Sequence, residues 1–169
     1  MTAPWHVPGG GAGAPREPGP ARVRVIGYGN PGRQDDGLGP AAAAAVAGWQ
    51  IPGVAVSNNY QLVVEDALEL STADVVWFVD ADRTGPGPYH LARVAPDGEA
   101  SFTSHLLSPH AVLALCERYW GRSPEAWLMG IRGYRFDLGE GLGSAAQANL
   151  SQALVCLRRG LVVGSGEAP

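Results

Sequence analysis

Four side chains stand at positions where a protein could hold a metal ion or hydrolyse a bond. Asp35 and Asp36 are adjacent in the glycine-rich stretch GYGNPGRQDDGLGP at 27–40, and Asp80 ends the apolar run VVWFVD. His110 begins a helical pattern. Carboxylates and imidazoles bind divalent metals, and paired carboxylates carry out acid–base chemistry. The sequence predicts a metal site from Asp80, His110 and one aspartate of the pair, for which Asp36 is the candidate.

Each of these residues also has a purely structural interpretation. Asp80 could cap a neighbouring turn, and His110 could be an ordinary histidine in the first turn of a helix. One member of the Asp35–Asp36 pair could cap the helix that follows while the other binds. His90 and His105 are weaker candidates, because the pattern ties neither to the end of a strand.

A dinucleotide site is the main alternative for the glycine-rich stretch. Residues 27–32, GYGNPG, fit the pattern G-x-G-x-x-G after an apolar run. Pro31 removes one amide from such a cradle, and the adjacent aspartates place negative charge where a pyrophosphate would lie. The second apolar run ends in VSNN without the acidic residue that binds ribose hydroxyls. A nucleotide-binding oxidoreductase is therefore the less favoured hypothesis.

Composition excludes several other functions. The 169 residues carry a net charge of −4 with no basic stripe, which argues against nucleic acid as a partner. All 12 basic residues are arginine, so no lysine can form a Schiff base or serve a P-loop. Cys116 and Cys156 lie in apolar helical patterns and are predicted to be buried. No membrane span or signal peptide is visible, and a cytoplasmic location is expected.

One domain accounts for most of the chain. Residues 1–21 and 164–169 are rich in Gly, Pro and Ala and are predicted to be disordered tails, leaving a single α/β domain at 22–163. Strands are predicted at 22–28, 53–57, 74–81, 89–94 and 126–131, and helices at 36–49, 61–71, 108–120 and 144–159.

This alternation predicts a three-layer α/β sandwich with a mainly parallel, mixed central sheet of about five strands flanked by helices. The strand at 89–94 is expected at an edge or in a hairpin. Ligands of such sheets bind outside the carboxyl ends of the strands. Asp36 and Asp80 follow or end predicted strands, so we expect them to converge there.

Four motifs resemble those of one family, the NiFe-hydrogenase maturation endopeptidases. GYGNPGRQDDGLG at 27–39 is similar to the family signature G-x-G-N-x4-D-[DE]-G-x-G. FVDA at 78–81 resembles the second family motif, and SPH at 108–110 resembles the third. GEGLG at 139–143 also resembles a family segment. The motifs occur in the family's order and span most of residues 22–160.

The resemblance implies a specific hydrolase. Enzymes of this family remove a C-terminal extension from the precursor of the hydrogenase large subunit after nickel insertion. By motif position, Asp36, Asp80 and His110 become the metal ligands, and Asp36 and Asp80 the catalytic carboxylates of an aspartyl-type endopeptidase. Gly29, Asn30 and Gly37 become candidates for substrate binding. The nickel is expected to be supplied by the substrate, with no organic cofactor.

Two questions stay open at the level of sequence. The metal could polarise the scissile carbonyl, or it could serve only for recognition while an aspartate acts as the general base. The same three ligands would also suit a nickel-binding assembly chaperone that does not cleave its partner. Only a cleavage assay separates that chaperone from the endopeptidase.

Overall fold

The computed structural model describes residues 22–98 and 107–163. Within these ranges, a five-stranded sheet carries helices on both faces, which confirms the predicted three-layer α/β architecture. The strands are β1 (Val23–Tyr28), β2 (Val54–Asn59), β3 (Val75–Asp82), β4 (Tyr89–Val94) and β5 (Glu125–Arg132). The helices are α1 (Leu38–Gly48), α2 (Val64–Leu70), α3 (Pro109–Trp120) and α4 (Ser144–Val163).

The sheet has the strand order β2-β1-β3-β5-β4. The first four of these strands are parallel, and β4 pairs antiparallel with β5 at one edge, as the sequence predicts. β3 is central and flanked on both sides, which explains why it is almost continuously apolar. The carboxyl ends of β1, β2, β3 and β5 lie along one edge of the sheet, called here the carboxyl edge.

Two apolar cores cover the two faces of the sheet. On the face of α1 and α4, Trp77 of β3 stacks on Trp127 of β5 with ring centroids 6.0 Å apart. On the face of α2 and α3, Phe78 and Ile26 are fully buried. Alternate residues of a strand point to opposite faces, so Asp80 lies on the same face as Phe78. The sheet therefore presents Asp80 towards α2 and α3.

Side chains fix where the helices of this face begin. The Ser108 hydroxyl accepts the Ala111 N–H at 3.2 Å, and Pro109 occupies the first helical position, as predicted. α2 begins at Val64, three residues later than expected, because the Asp66 carboxylate accepts the Val63 N–H at 2.8 Å and the Asn59 amide at 3.0 Å. These contacts extend β2 to Asn59 and delay the helix.

Two other predicted boundaries differ from the structure. A short 3₁₀ helix, Gln34–Gly37, precedes α1, which starts at Leu38 rather than at position 36. The last helix continues to Val163, beyond the predicted end at 159. The predicted tails at 1–21 and 164–169 lie outside the described residues, as does His105.

Both cysteines are free and buried, as expected. The Cys116 thiol donates to the Ala67 carbonyl at 3.3 Å, and burial raises its pKa to about 11. A thiol with so high a pKa is a poor nucleophile at neutral pH. Across the described residues, no helix combines the length and apolarity needed to cross a membrane.

Candidate active site

The backbone N–H groups of the glycine-rich turn after β1 are already engaged in hydrogen bonds within the protein. Each backbone N–H from position 29 to 36 donates to an acceptor within the protein, and Pro31 has none. The pairs are Gly29 to Asn59 O (3.1 Å), Asn30 to Asp36 Oδ2 (2.9 Å), Gly32 to Asn30 Oδ1 (2.9 Å), Arg33 to Asn30 O (3.0 Å), Gln34 to Gly139 O (2.9 Å), Asp35 to Arg135 O (2.9 Å) and Asp36 to Arg33 O (3.2 Å). A phosphate cradle needs free amides. The turn is therefore not built for a dinucleotide.

The two adjacent aspartates have different environments. Asp35 is fully buried, and its carboxylate accepts three backbone N–H groups, from Gly143 at 2.8 Å, Tyr134 at 2.8 Å and Arg135 at 2.9 Å. Burial alone would raise the pKa of Asp35, but these three donors outweigh it and hold the pKa below its ordinary value. Asp35 therefore anchors the loop 133–143, which contains the GEGLG motif, to the glycine-rich turn.

Asp36 is only partly buried and faces a cleft at the carboxyl edge. Its Oδ2 atom accepts the Asn30 N–H, which fixes the carboxylate. Gly29 must be glycine, because its φ is +139° and a Cβ there would overlap the Asp36 carbonyl oxygen. Gly37 packs against Pro31, and a Cβ at position 37 would lie 3.0 Å from the Cα atom of Pro31. Asn30 thus orders the turn with its side chain and its backbone.

Asp80 shares this cleft with Asp36. The pKa of Asp80 is raised to about 7, mainly by burial and in addition by the nearby carboxylates of Asp36 and Asp82, while the Ala81 N–H at 2.7 Å opposes the rise. The Tyr28 hydroxyl also stabilises the Asp80 carboxylate by hydrogen bonding, and burial next to that carboxylate raises the pKa of Tyr28. A carboxyl group with a pKa near neutrality suits proton transfer.

The cleft has a volume of about 430 Å³. Apolar and aromatic groups make up much of its wall, and Asp36 and Asp80 are the acidic residues among the described residues that line it. Its lining residues are Tyr28, Gly29, Asp36, Tyr60, Gln61, Leu62, Asp80, Leu107, Ser108 and Pro109. The structure thus brings Asp36 and Asp80 together with Gly29 at the carboxyl edge. Tyr28 and Tyr60 have no place in the sequence hypothesis, although both stand at strand ends.

His110 lies beside this cleft rather than in its wall. It follows Pro109, which lines the cleft, and its Nδ1 atom lies 2.8 Å from the Ala95 carbonyl oxygen. Since a carbonyl can only accept, Nδ1 carries the proton and Nε2 is left as an acceptor in the neutral ring. Among residues 22–98 and 107–163, no three His, Cys, Asp or Glu side chains form a ready metal cluster. Metal binding by Asp36, Asp80 and His110 stays a prediction.

His90 occupies a position that the sequence pattern left unassigned. The register places Asp80 beside Gly130 of β5, and Gly130 opposite His90 of β4. A Cβ at position 130 would overlap the imidazole, so the ring covers the place of the missing side chain. His90 Nδ1 lies 3.5 Å from Asp82 Oδ2. An imidazole–carboxylate pair therefore stands next to Asp80 on the same face of the sheet.

Comparison with known proteins identifies structural relatives. No family model matches the chain, and no curated protein matches it. The chain is similar to the hydrogenase maturation protease HycI from Thermococcus kodakarensis, with 22% identity and a TM-score of 0.65 over 84% of this chain and 93% of that one. It is also similar to the hydrogenase maturating endopeptidase HybD from Escherichia coli, with 25% identity and a TM-score of 0.58 over 82% and 93% of the two chains.

A third solved structure has a higher TM-score. An endopeptidase from Escherichia coli reaches 0.68 at 21% identity, over 85% of this chain and 94% of that one. These structures are named as proteases or endopeptidases, which is the hydrolase class that the motifs imply. The resemblance seen in the sequence is confirmed by these structures: the chain has the fold of the NiFe-hydrogenase maturation proteases.

Proposed function

We propose that this protein is an endopeptidase that removes the C-terminal extension of a NiFe-hydrogenase large-subunit precursor after nickel insertion. One observation carries the proposal. Asp36 and Asp80 line a single cleft at the carboxyl edge of a fold shared with hydrogenase maturation proteases. The first two of the four sequence motifs supply these aspartates. The proposal places the reaction in the cytoplasm, as the sequence analysis expects.

Asp80 is the general base of the proposed reaction. Because burial raises its pKa to about 7, it is partly ionised at neutral pH and can accept a proton from water. The water oxygen attacks the scissile carbonyl carbon, and the proton passes to the leaving amine as the C–N bond breaks. Asp36 is held in place by the Asn30 N–H at 2.9 Å. In this proposal it orients the scissile peptide bond opposite Asp80.

The nickel of the precursor serves recognition in this proposal. Nickel accepts carboxylate and imidazole ligands, which Asp36, Asp80 and His110 offer. Metal-binding histidines commonly donate their second ring N–H to a carbonyl, and the Nδ1 contact with Ala95 O is of this kind. His110 Nε2 is then the ligand atom. Recognition of the nickel restricts cleavage to precursors that have received the metal.

Intact-mass measurement of the nickel-loaded precursor, before and after incubation, tests the proposal. We expect a mass loss equal to a C-terminal peptide with the wild-type protein, and no loss with Asp36→Asn, Asp80→Asn or His110→Ala. Glu117→Gln is the control, because Glu117 is an exposed acidic residue on α3 outside the cleft lining. Full processing by all three site variants would overturn the site.

The same assay separates the endopeptidase from the nickel-binding chaperone. Binding of the nickel-loaded precursor by the wild-type protein with no mass loss would favour the chaperone. Absence of both binding and mass loss would show that the substrate is wrong.

A further inference from the structure

We propose that the rim of the cleft is the docking surface for the folded body of the precursor, with Leu68 of α2 and Leu138 of the loop 133–143 as contacts on its two sides. This inference rests on the proposed function. A cleft of about 430 Å³ has the size of a small-ligand site, so it holds only a short stretch of polypeptide. A stable protein complex buries about 800 Å² on each partner. Most of that area must come from outside the cleft.

One side of the rim is an apolar ridge formed by Tyr60, Val64 and Leu68. Tyr60 lines the cleft and is 72% exposed, and the ridge continues onto α2 with Val64 at 60% and Leu68 at 59% exposure. Val64 and Leu68 are four residues apart and therefore share one face of the helix. Exposed apolar side chains grouped in this way mark interaction surfaces.

The loop 133–143 borders the glycine-rich turn that supplies Gly29 and Asp36 to the cleft. The Gln34 N–H donates to the Gly139 carbonyl at 2.9 Å, and the Gly139 N–H donates to the Gly32 carbonyl at 3.0 Å. These bonds hold Leu138, which is 90% exposed, next to the glycine-rich turn that carries Asp36. Since Asp35 anchors the same loop at three points, the side chain is displayed from a fixed support.

The occupant follows from continuity with the cleft. A chain that enters the cleft to reach Asp36 and Asp80 brings the rest of its own molecule against the rim. Tyr60 lines the cleft, and it lies four residues before Val64, the first residue of α2. The partner's matching surface is expected to be apolar and to lie close to its C-terminal extension.

Matched arginine substitutions test this surface. The test variants are Leu68→Arg and Leu138→Arg, and the control is Val162→Arg. Val162 is 66% exposed near the end of α4, about 27 Å from the start of that helix at the carboxyl edge for a rise of 1.5 Å per residue. All three changes add one positive charge at an exposed apolar position. Leu68 and Val162 lie near helix C-termini, where arginine is favourable.

The measurement is kcat and KM for processing of the nickel-loaded precursor by each variant. We expect KM to rise about tenfold or more in both test variants, with kcat within twofold of wild type and no change in the control. Unchanged unfolding midpoints establish that all three variants are folded.

Equal KM values in the wild-type, test and control proteins, with normal cleavage, would overturn the docking surface and leave the endopeptidase intact. An equal rise in KM for the control Val162→Arg would overturn the location of the docking surface at the rim. Failure of the wild-type protein to cleave would overturn the proposed function and this inference together.

Discussion

At the scale of single residues, two adjacent aspartates have separate tasks. Asp35 is buried under three N–H donors, whereas Asp36 is partly exposed and receives one. Adjacent positions in the short 3₁₀ helix point in different directions, so one side chain enters the protein and the next enters the cleft. Residue type alone does not distinguish the two acids, and the sequence favours Asp36 only through its position in the family motif. The contacts from residues 134, 135 and 143 give Asp35 its separate, structural role.

Asp35→Asn is expected to destabilise the protein by about 2–4 kcal/mol, because an amide cannot accept all three buried N–H groups and loses the charge. Asp36→Asn should cost about 1 kcal/mol or less, since its oxygen can still accept the Asn30 N–H. Urea unfolding at pH 7 measures both.

The pH dependence gives a second readout of Asp35. Its pKa is depressed in the folded state, so its contribution is present above the unfolded pKa and is lost as the pH falls through the folded value. The difference between wild type and Asp35→Asn should therefore shrink in acid. Equal stability of the two variants at pH 7 would contradict the anchoring role.

Asp80→Asn is expected to stabilise the fold while it removes processing. Burial raises the pKa of Asp80 from 3.8 to about 7, so the favourable contribution of the protonated form is complete below the unfolded pKa and is lost as the pH rises through 7. Asparagine avoids that loss. The gain should reach at most a few kcal/mol at pH 8 and vanish near pH 4.

Thermal unfolding of wild type and Asp80→Asn at pH 4, 6 and 8 measures this gain. A variant that is less stable than wild type at pH 8 would mean that the charged carboxylate is well stabilised by its surroundings. In the wild-type protein, kcat/KM for processing should fall below about pH 7, because the base becomes protonated.

At the scale of elements, the closeness of α1 to the sheet depends on glycine. A Cβ at Gly39 would overlap the carbonyl oxygens of Tyr28 and Val79, so α1 lies directly on the ends of β1 and β3. Neither backbone oxygen can move aside without shifting a strand. This packing holds the start of α1, and with it the short helix carrying Asp36, against the carboxyl edge.

Gly39→Ala is therefore expected to destabilise the protein by about 3 kcal/mol or more. Gly48→Ala at the other end of α1 is the matched control, because no atom lies within 4 Å of a Cβ there. That change should be neutral or stabilise the helix by about 0.5–1 kcal/mol. Urea unfolding distinguishes the two, and equal effects would show that helix propensity rather than packing determines the response.

Hydrophobic periodicity predicts the helices and strands well, because the pattern of buried and exposed residues can be read within a single segment of the sequence. The apolar run at 75–79 and the Ser-Pro start of α3 are examples, and both have the predicted structure. The 3₁₀ helix before α1 carries Asp35, whose contacts with residues 134, 135 and 143 are distant in sequence, so no local pattern reveals them. The late start of α2 accompanies the contact of Asp66 with the Val63 N–H, which is local but lacks the Ser or Thr that usually marks a capping box.

The candidate site also combines residues that a local sequence pattern predicts with residues that only long-range contacts bring into place. Asp36 and Asp80 could be predicted, since both belong to motifs at strand ends. The placement of His90 over Gly130 could not, because it depends on the register between β4 and β5.

At the scale of the whole molecule, the described part of the chain is in contact with the domain from its first residues. The Arg22 N–H donates to Asp74 Oδ2 at 2.9 Å, and β1 starts at Val23. Residues 1–21, rich in Gly, Pro and Ala, offer little apolar surface to a core. The described residues that line the proposed cleft all lie at position 28 or later.

Deletion of residues 2–21 is accordingly expected to leave kcat/KM for the nickel-loaded precursor within twofold of wild type. The unfolding midpoint should also be unchanged, because the deletion removes none of the contacts described for β1. Parallel mass time courses and thermal unfolding of the full-length and shortened proteins make the comparison. A tenfold loss in kcat/KM at an unchanged midpoint would mean that the N-terminal segment binds the precursor, and the docking surface would then extend beyond the rim of Leu68 and Leu138.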